Sequence, residues 1–519
     1  MNGAHALLAT LRANGVSTVF ANPGTSEMHF VAALDDVHDV SGVLCLFEGV
    51  ATGAADGYAR VTGRPAATLL HLGPGLANGW ANLHNARRAR VPLLNIVGDH
   101  ATYHARFDAP LQSDIASVAG ALEGSVHRPV RPDEVAAATA RAIGAAYGPP
   151  AHVATLVLPA DVSWGALAQV PADWPVAQRA RLTEIEHDLV DYAAERIRTT
   201  RSAIFLGGTA TTSQQLALAQ RIGAASGSRV ILETFPASVD RGVGVFQPER
   251  LIYLSEFAVA QLADLETVVL IGANEPVGFF AYPDVPSRLV GDHCDVVALA
   301  PPGSDTGAAL EALVDSLDAT ALPVATGPRP DAPRGALNAQ TLAAAVAATL
   351  PEGAVISDES NTSGIHLYGA TAFAAPHRLL TLTGGSIGFG LPVAVGAAIG
   401  SHARVLALES DGSMLYTIQA LWTMAREGLD VTVVGLSNGR YAILDFERQR
   451  VGVGTQAAGE ASERLLALDR PTIDFCEVAR GFGVPATRVT DAEGLVTALQ
   501  RSYATPGPSF IEAALPPTF

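Results

Sequence analysis

Residues 409–439 read ESDGSMLYTIQALWTMAREGLDVTVVGLSNG. An acid and small residues stand where the apolar run RVLALE should hand over to a helix. A second apolar run, VTVVGL, then ends in Ser437, Asn438 and Gly439. If both runs are strands, Asp411 and Asn438, 27 residues apart, lie at the carboxyl ends of neighbouring strands. Free N–H groups at a helix N-terminus attract anions, phosphate among them. A carboxylate in the same place repels phosphate unless a hard cation lies between them. Asp411, the Asn438 carboxamide oxygen and one backbone carbonyl just beyond would form the oxygen shell that magnesium takes beside a diphosphate. Read without that context, Asp-Gly after a strand is an ordinary turn.

The same alternation runs through the chain. STVFANPG, AATLLHLG, PLLNIVGD, SAIFLGG and TVVLIGA are apolar on both faces and end in Gly, Asn, Asp or Ser, as buried parallel strands do. With 519 residues the chain is too long for one core. The Pro-rich stretch YGPPAHVATLVLPADVSWGALAQVPADWP closes a first unit near residue 175, and ALPVATGPRPDAPRGA (321–336) has the composition of a linker. The expectation is an α/β protein of three doubly wound parallel-sheet domains, at 1–175, 185–320 and 335–519. The outer two echo each other, each running helix, strand, Gly-rich turn, helix, strand. Such halves suggest a ligand shared between them, outside the carboxyl ends of the strands.

Hydrophobic residues make up 49% and charged residues 16%, so part of the surface is expected to be covered by further subunits. A formal charge of −18 argues against nucleic acid or an anionic membrane as partner. Cys45, Cys294 and Cys476 lack metal-ligand spacing and fit a reducing compartment. The N-terminal residues have no basic-then-apolar leader pattern, and no apolar run reaches membrane-spanning length. A soluble, cytoplasmic, oligomeric protein is expected.

Four separated segments, in order, carry a resemblance: NPGTSEMHF (22–30), FEGVATGAADGYAR (47–60), HLGPGLANG (71–79) and LTGGSIGFGLPVAVGAA (382–398). Together with the opening stretch they resemble the thiamine-diphosphate enzymes of the 2-oxo acid decarboxylase and acetohydroxyacid synthase family. The likeness is closest, locally, to benzoylformate decarboxylases. The family's diphosphate motif, GDG followed by about 25 to 30 residues and NN, departs here to Ser410-Asp411-Gly412 and Ser437-Asn438. The resemblance implies thiamine diphosphate and Mg2+ as cofactors. Asp411, the Asn438 side chain and the Arg440 main-chain oxygen would hold the metal, and Gly412, Ser413, Asn361, Thr362 and Tyr441 would contact the cofactor. Ile387 would support its bend, with the Gly385 carbonyl accepting from its ring amine.

By the same resemblance Glu48 is the acid that hydrogen-bonds the cofactor's aminopyrimidine. An apolar setting such as LCLFEGVATG favours a carboxyl group that shares a proton with a ring nitrogen. Alone, Glu48 reads equally as a helix-capping acid. His71 matches a proton-transfer histidine, although a lone histidine is more often structural. Thr25 takes the place of a substrate-binding serine. A second active-site histidine has no counterpart; Phe279 and Phe280 lie about where it would fall. The resemblance implies non-oxidative decarboxylation of a 2-oxo acid, with carboligation, in a homodimer or homotetramer whose sites lie between subunits. Acetolactate synthase-type condensation is the alternative, and a catalytically silent cofactor-binding partner is the alternative of another class.

Overall fold

The computed structural model describes residues 1–324, 326–451 and 459–517. Three sheets carry the chain. The first contains β1 (Thr18–Asn22), β2 (Ser41–Leu44), β3 (Ala67–Leu70), β4 (Leu93–Asp99), β5 (Val126–His127) and β6 (Val153–Pro159), in the order β2-β1-β3-β4-β6-β5. The middle segment supplies β7 (Ser202–Leu206), β8 (Arg229–Leu232), β9 (Val239–Arg241), β10 (Glu249–Arg250), β11 (Thr267–Ile271) and β12 (Asp295–Ala300). Five of these form the second sheet, in the order β10-β8-β7-β11-β12. The third is built from β13 (Ala354–Glu359), β14 (His377–Thr381), β15 (Val405–Ser410), β16 (Val431–Ser437), β17 (Ala486–Val489) and β18 (Ser509–Ala514), in the order β17-β18-β16-β15-β13-β14. All neighbours within these orders pair in parallel. The expected fold class of three doubly wound domains is therefore observed.

Two features differ from the sequence reading. β9, from the middle segment, leaves its own sheet and pairs antiparallel with β14, so the third sheet has a seventh strand. β6, inside the Pro-rich stretch, is a fully buried central strand; its proline stands last, where no further ladder donor is needed.

Five helices position the site: α1 (Glu48–Thr62), α2 (Leu72–Ala89), α3 (Gly390–Ser401), α4 (Asp411–Met414) and α5 (Ala442–Arg450). α1 and α3, the equivalent helices of the two echoing halves, pack directly together and run the same way. Gly53 meets Pro392, Gly396 meets Ala54 and Tyr58, and Gly400 meets Thr62. Glycines make the approach possible. A Cβ at Gly57 would lie 2.2 Å from the Val393 carbonyl oxygen, and one at Gly396 would lie 1.8 Å from that of Ala54. The buried ion pair Arg60–Asp56 locks the same interface. Two arginine nitrogens reach the two carboxylate oxygens at 2.8 Å, while Nη1 donates to the carbonyls of Thr381 (2.7 Å) and Ala237 (2.9 Å). No helix among the described residues is long and apolar enough to cross a membrane.

Candidate active site

In both outer sheets the chain reverses its direction of growth beside the first strand, and ligands of doubly wound sheets bind at such a point. In the third sheet the switch lies between β13 and β15. Asn361 follows β13 and Asp411 follows β15, and Asn361 Nδ2 donates to the hydroxyls of Ser413 (2.9 Å) and Ser410 (3.2 Å). In the first sheet it lies between β1 and β3, which delivers Thr25 and His71 to one place.

The diphosphate half is organised by Asp411, which is 2% exposed. One carboxylate oxygen accepts from the Gly412 N–H at 2.8 Å. The other accepts from the N–H groups of Asn438 (3.0 Å) and Gly439 (2.7 Å). Burial pushes the Asp411 carboxyl above the usual carboxylate range, and these backbone donors oppose it. Asn438 Oδ1 accepts from the Arg440 N–H at 3.0 Å, and the Arg440 carbonyl accepts from Ala442 N–H at 3.0 Å, which leaves each oxygen a further lone pair. The Arg440 side chain is turned to Asp445 at 2.6 Å. Thr362, Asn438 and Ala442 line one small pocket. The Tyr441 ring lies on Gly412, where a Cβ would come within 2.3 Å of it. The sequence placed a helix after Asp411; the chain makes the single turn α4 and resumes helix only at Ala420.

A carboxylate, a carboxamide oxygen and a carbonyl converging here are the hard donors magnesium takes, and the desolvated Asp411 is the group a cation would stabilise. Hydroxyls on Ser413 and Thr362 and the Asn361 amide give an anion donors. The residues present fit a magnesium diphosphate.

The other half gathers around Glu48, the first residue of α1 and 9% exposed. Asn78 Nδ2 donates to Glu48 Oε2 at 3.0 Å. Gly75 separates Glu48 from His71: a Cβ there would lie 3.2 Å from Glu48 Oε1 and 3.5 Å from His71 Cβ. His71 Nδ1 bonds Glu27 Oε2 at 2.8 Å, and the same oxygen accepts from Gly24 N–H at 2.8 Å. Burial raises the Glu27 carboxyl, opposed by the Gly24 N–H and by His71. The His71 ring packs on Gly24, one residue before exposed Thr25. Glu27 and Asn78 were not singled out from the sequence. The capping-box spacing from Gly24 to Glu27 was the only signal for the first, and Asn78 needed the phase of α2.

Asn82 joins the halves. Its Nδ2 donates to the carbonyls of Gly49 (2.8 Å) and Gly388 (3.0 Å), tying the start of α1 to the turn that carries Ile387. Ile387 is half-buried against the apolar core. Gly385 has φ +72° and lies under the Phe279 ring, whose Cζ would be 2.4 Å from a Cβ. Phe279 stacks edgewise with Phe235 and Phe280 and tilts against Tyr253. Aromatic rings thus stand beside Gly385. Glu447 accepts from Tyr282 Oη at 2.9 Å and pairs with Arg450 at 3.0 Å.

Comparison with known proteins shows the family. Residues 1–122 match the thiamine pyrophosphate enzyme N-terminal TPP binding domain, and residues 362–513 match the C-terminal TPP binding domain. A Mycobacterium tuberculosis protein provisionally named acetolactate synthase large subunit IlvX is 52% identical, over 99% of each chain. Benzoylformate decarboxylase of Pseudomonas aeruginosa is 30% identical, covering 97% of this chain and 96% of its own. The fold is shared with the thiamine diphosphate-dependent 4-hydroxybenzoylformate decarboxylase of Rhodococcus jostii RHA1, with TM-score 0.84, 24% identity and 99% of each chain covered. The chain belongs to the thiamine pyrophosphate enzymes, in the family that includes benzoylformate decarboxylases and acetolactate synthases.

Proposed function

We propose that the protein is a magnesium-dependent enzyme that uses thiamine diphosphate to decarboxylate a 2-oxo acid without oxidation, with carboligation to a second carbonyl compound. The observation that carries the reading is the grip of Asp411 on the Asn438–Gly439 turn, which draws three oxygen donors to one switch point. Asp411, Asn438 and the Arg440 carbonyl would hold Mg2+. Asn361, Thr362, Gly412 and Ser413 would bind the diphosphate, and Tyr441 would close over Gly412. Gly385 and Ile387 would seat the bend. When bound, the cofactor supplies the electron sink for the pair left as carbon dioxide departs.

The chain's own residues supply the proton handling. Glu48, oriented by Asn78, shares a proton with the bound ring nitrogen. Thr25 donates its hydroxyl to the substrate carboxylate. His71, oriented by Glu27, moves a proton at the substrate oxygen. The aromatic rings of Phe279 and Phe280 exclude water and suit a substrate with an apolar side chain. The site is completed between copies in a homodimer or homotetramer.

A second reading, acetolactate synthase-type condensation, is supported by the name of the 52% identical relative. A panel of pyruvate, branched and aromatic 2-oxo acids, with carbon dioxide and acyloin both measured and thiamine diphosphate present or withheld, separates the two. Cofactor-dependent carbon dioxide release from an apolar 2-oxo acid in excess over acyloin is expected. Stoichiometric acetolactate from pyruvate alone would favour the second reading, and no turnover with any of the acids would leave only a silent binding partner.

A further inference from the structure

Two acids with no part in the site just described lie beneath it. Glu359 ends β13 and Glu409 stands directly across in β15; they are 1% and 0% exposed. Glu359 collects three backbone donors: Gly388 N–H on Oε1 at 2.8 Å, and Phe389 and Gly390 N–H on Oε2 at 2.9 and 2.7 Å. These are the free N–H groups at the start of α3. No local Ser, Thr, Asp or Asn caps them, since the sequence there is Ile-Gly-Phe-Gly. The carboxylate from the neighbouring strand does so instead. Among the described residues, neither oxygen of Glu409 meets a donor. The three N–H donors all converge on Glu359. Gly390 makes the room, because a Cβ there would lie 1.9 Å from Glu409 Oε1.

Burying two acids in contact is costly, and ordinary helix capping does not require it. What Glu359 fixes is one turn. Gly388, held by Glu359 through its N–H, is held again through its carbonyl by Asn82 Nδ2 and by Thr417 Oγ1, each at 3.0 Å. Residues 388–390 are thus immobilised from both sides immediately after Ile387. Cofactor chemistry depends on placing the supporting group to within a fraction of an ångström.

We propose that Glu359 is the positioning residue that sets the Gly385–Ile387 turn against which thiamine diphosphate bends. This rests on the proposed site. The test compares Glu359→Gln, Thr417→Val and Ala397→Gly with the wild type. Cofactor affinity is measured by calorimetry with magnesium, the bound cofactor by near-ultraviolet circular dichroism, and kcat and KM at saturating cofactor. In Glu359→Gln an amide donor faces N–H donors. Cofactor affinity should fall at least tenfold, the dichroism of the bound cofactor should change, and kcat should drop while KM for the 2-oxo acid stays within twofold. Thr417→Val, which keeps shape and adds no buried donor, should weaken the cofactor about threefold, and it decides the matter if Glu359→Gln does not fold. Ala397→Gly loosens α3 away from the turn and should lower the melting temperature with affinity within twofold. Unchanged affinity in Glu359→Gln, or in Thr417→Val, or equal weakening in Ala397→Gly, overturns the proposal. A wild-type protein that binds no cofactor sinks the site itself instead.

Discussion

The Arg60–Asp56 pair offers the sharpest test of how the two outer units are joined. Both side chains are fully buried, and the guanidinium makes five hydrogen bonds: two to Asp56, two to the carbonyls of Thr381 and Ala237, and one to Thr383 Oγ1 at 3.1 Å. It also stacks over the Phe389 ring at 4.6 Å. Its partners come from α1, the middle segment and the strand leading to Gly385. Arg60→Met leaves a buried acid without its cation and strips a donor from two carbonyls, and breaking a buried pair costs about 3–5 kcal/mol. Asp56→Leu strands the arginine and should cost a similar amount. The double variant removes both charges and replaces them with apolar volume, so it should cost only about 2 kcal/mol, mostly for the carbonyls. The coupling is therefore about 4–8 kcal/mol. Urea unfolding followed by far-ultraviolet circular dichroism, on all four proteins at one concentration, gives the cycle. Additive single effects, with coupling below about 0.5 kcal/mol, would refute the claim that this pair ties the units together.

Three further outcomes are expected. Asp411→Ala should abolish magnesium-dependent retention of thiamine diphosphate, and the loss of three backbone hydrogen bonds should cost the apo-protein about 2 kcal/mol; retention at the wild-type level in a desalting assay would remove the metal assignment. His377, 5% exposed, has its imidazole pushed by burial from 6.5 down to about 4. The unfolded chain therefore takes up a proton that the native one refuses, and stability is lost as pH falls from about 6.5 towards 4. By pH 5 the loss is about 2 kcal/mol, and His377→Asn should remove that part of the slope; identical slopes in both proteins would contradict a neutral buried ring. Phe279→Ala takes away the ring over Gly385, so kcat/KM should fall about fivefold to tenfold more for an aromatic 2-oxo acid than for pyruvate; equal falls would show that Phe279 does not line the substrate pocket.

Much of the architecture was legible because buried parallel strands are apolar on both faces and stop at small or polar residues, as RVLALESDG and VTVVGLSNG do. Asp411 and Asn438 were placed at strand ends for the same reason, while their proposed role as metal ligands came from the family resemblance. Other features needed long-range register. β9 pairs with a strand more than a hundred residues away, and nothing in Val239–Arg241 announces it. β6 was masked by the prolines around it. Glu359 and Glu409 read locally as unremarkable strand ends, and only their alignment across β13 and β15 makes them a pair. Glu27 and Asn78 likewise gain meaning from neighbours that a turn and a helix phase supply.

The central claim is that a carboxyl at the start of α1 activates the cofactor held by the diphosphate half. Its most direct test is hydrogen–deuterium exchange at the reactive ring carbon of protein-bound thiamine diphosphate, read by acid quench and proton NMR, in wild type and Glu48→Gln. Exchange in the wild-type complex should outrun that of free cofactor by orders of magnitude and fall at least a hundredfold in Glu48→Gln with the cofactor still bound. Equal exchange in the two proteins would contradict the account.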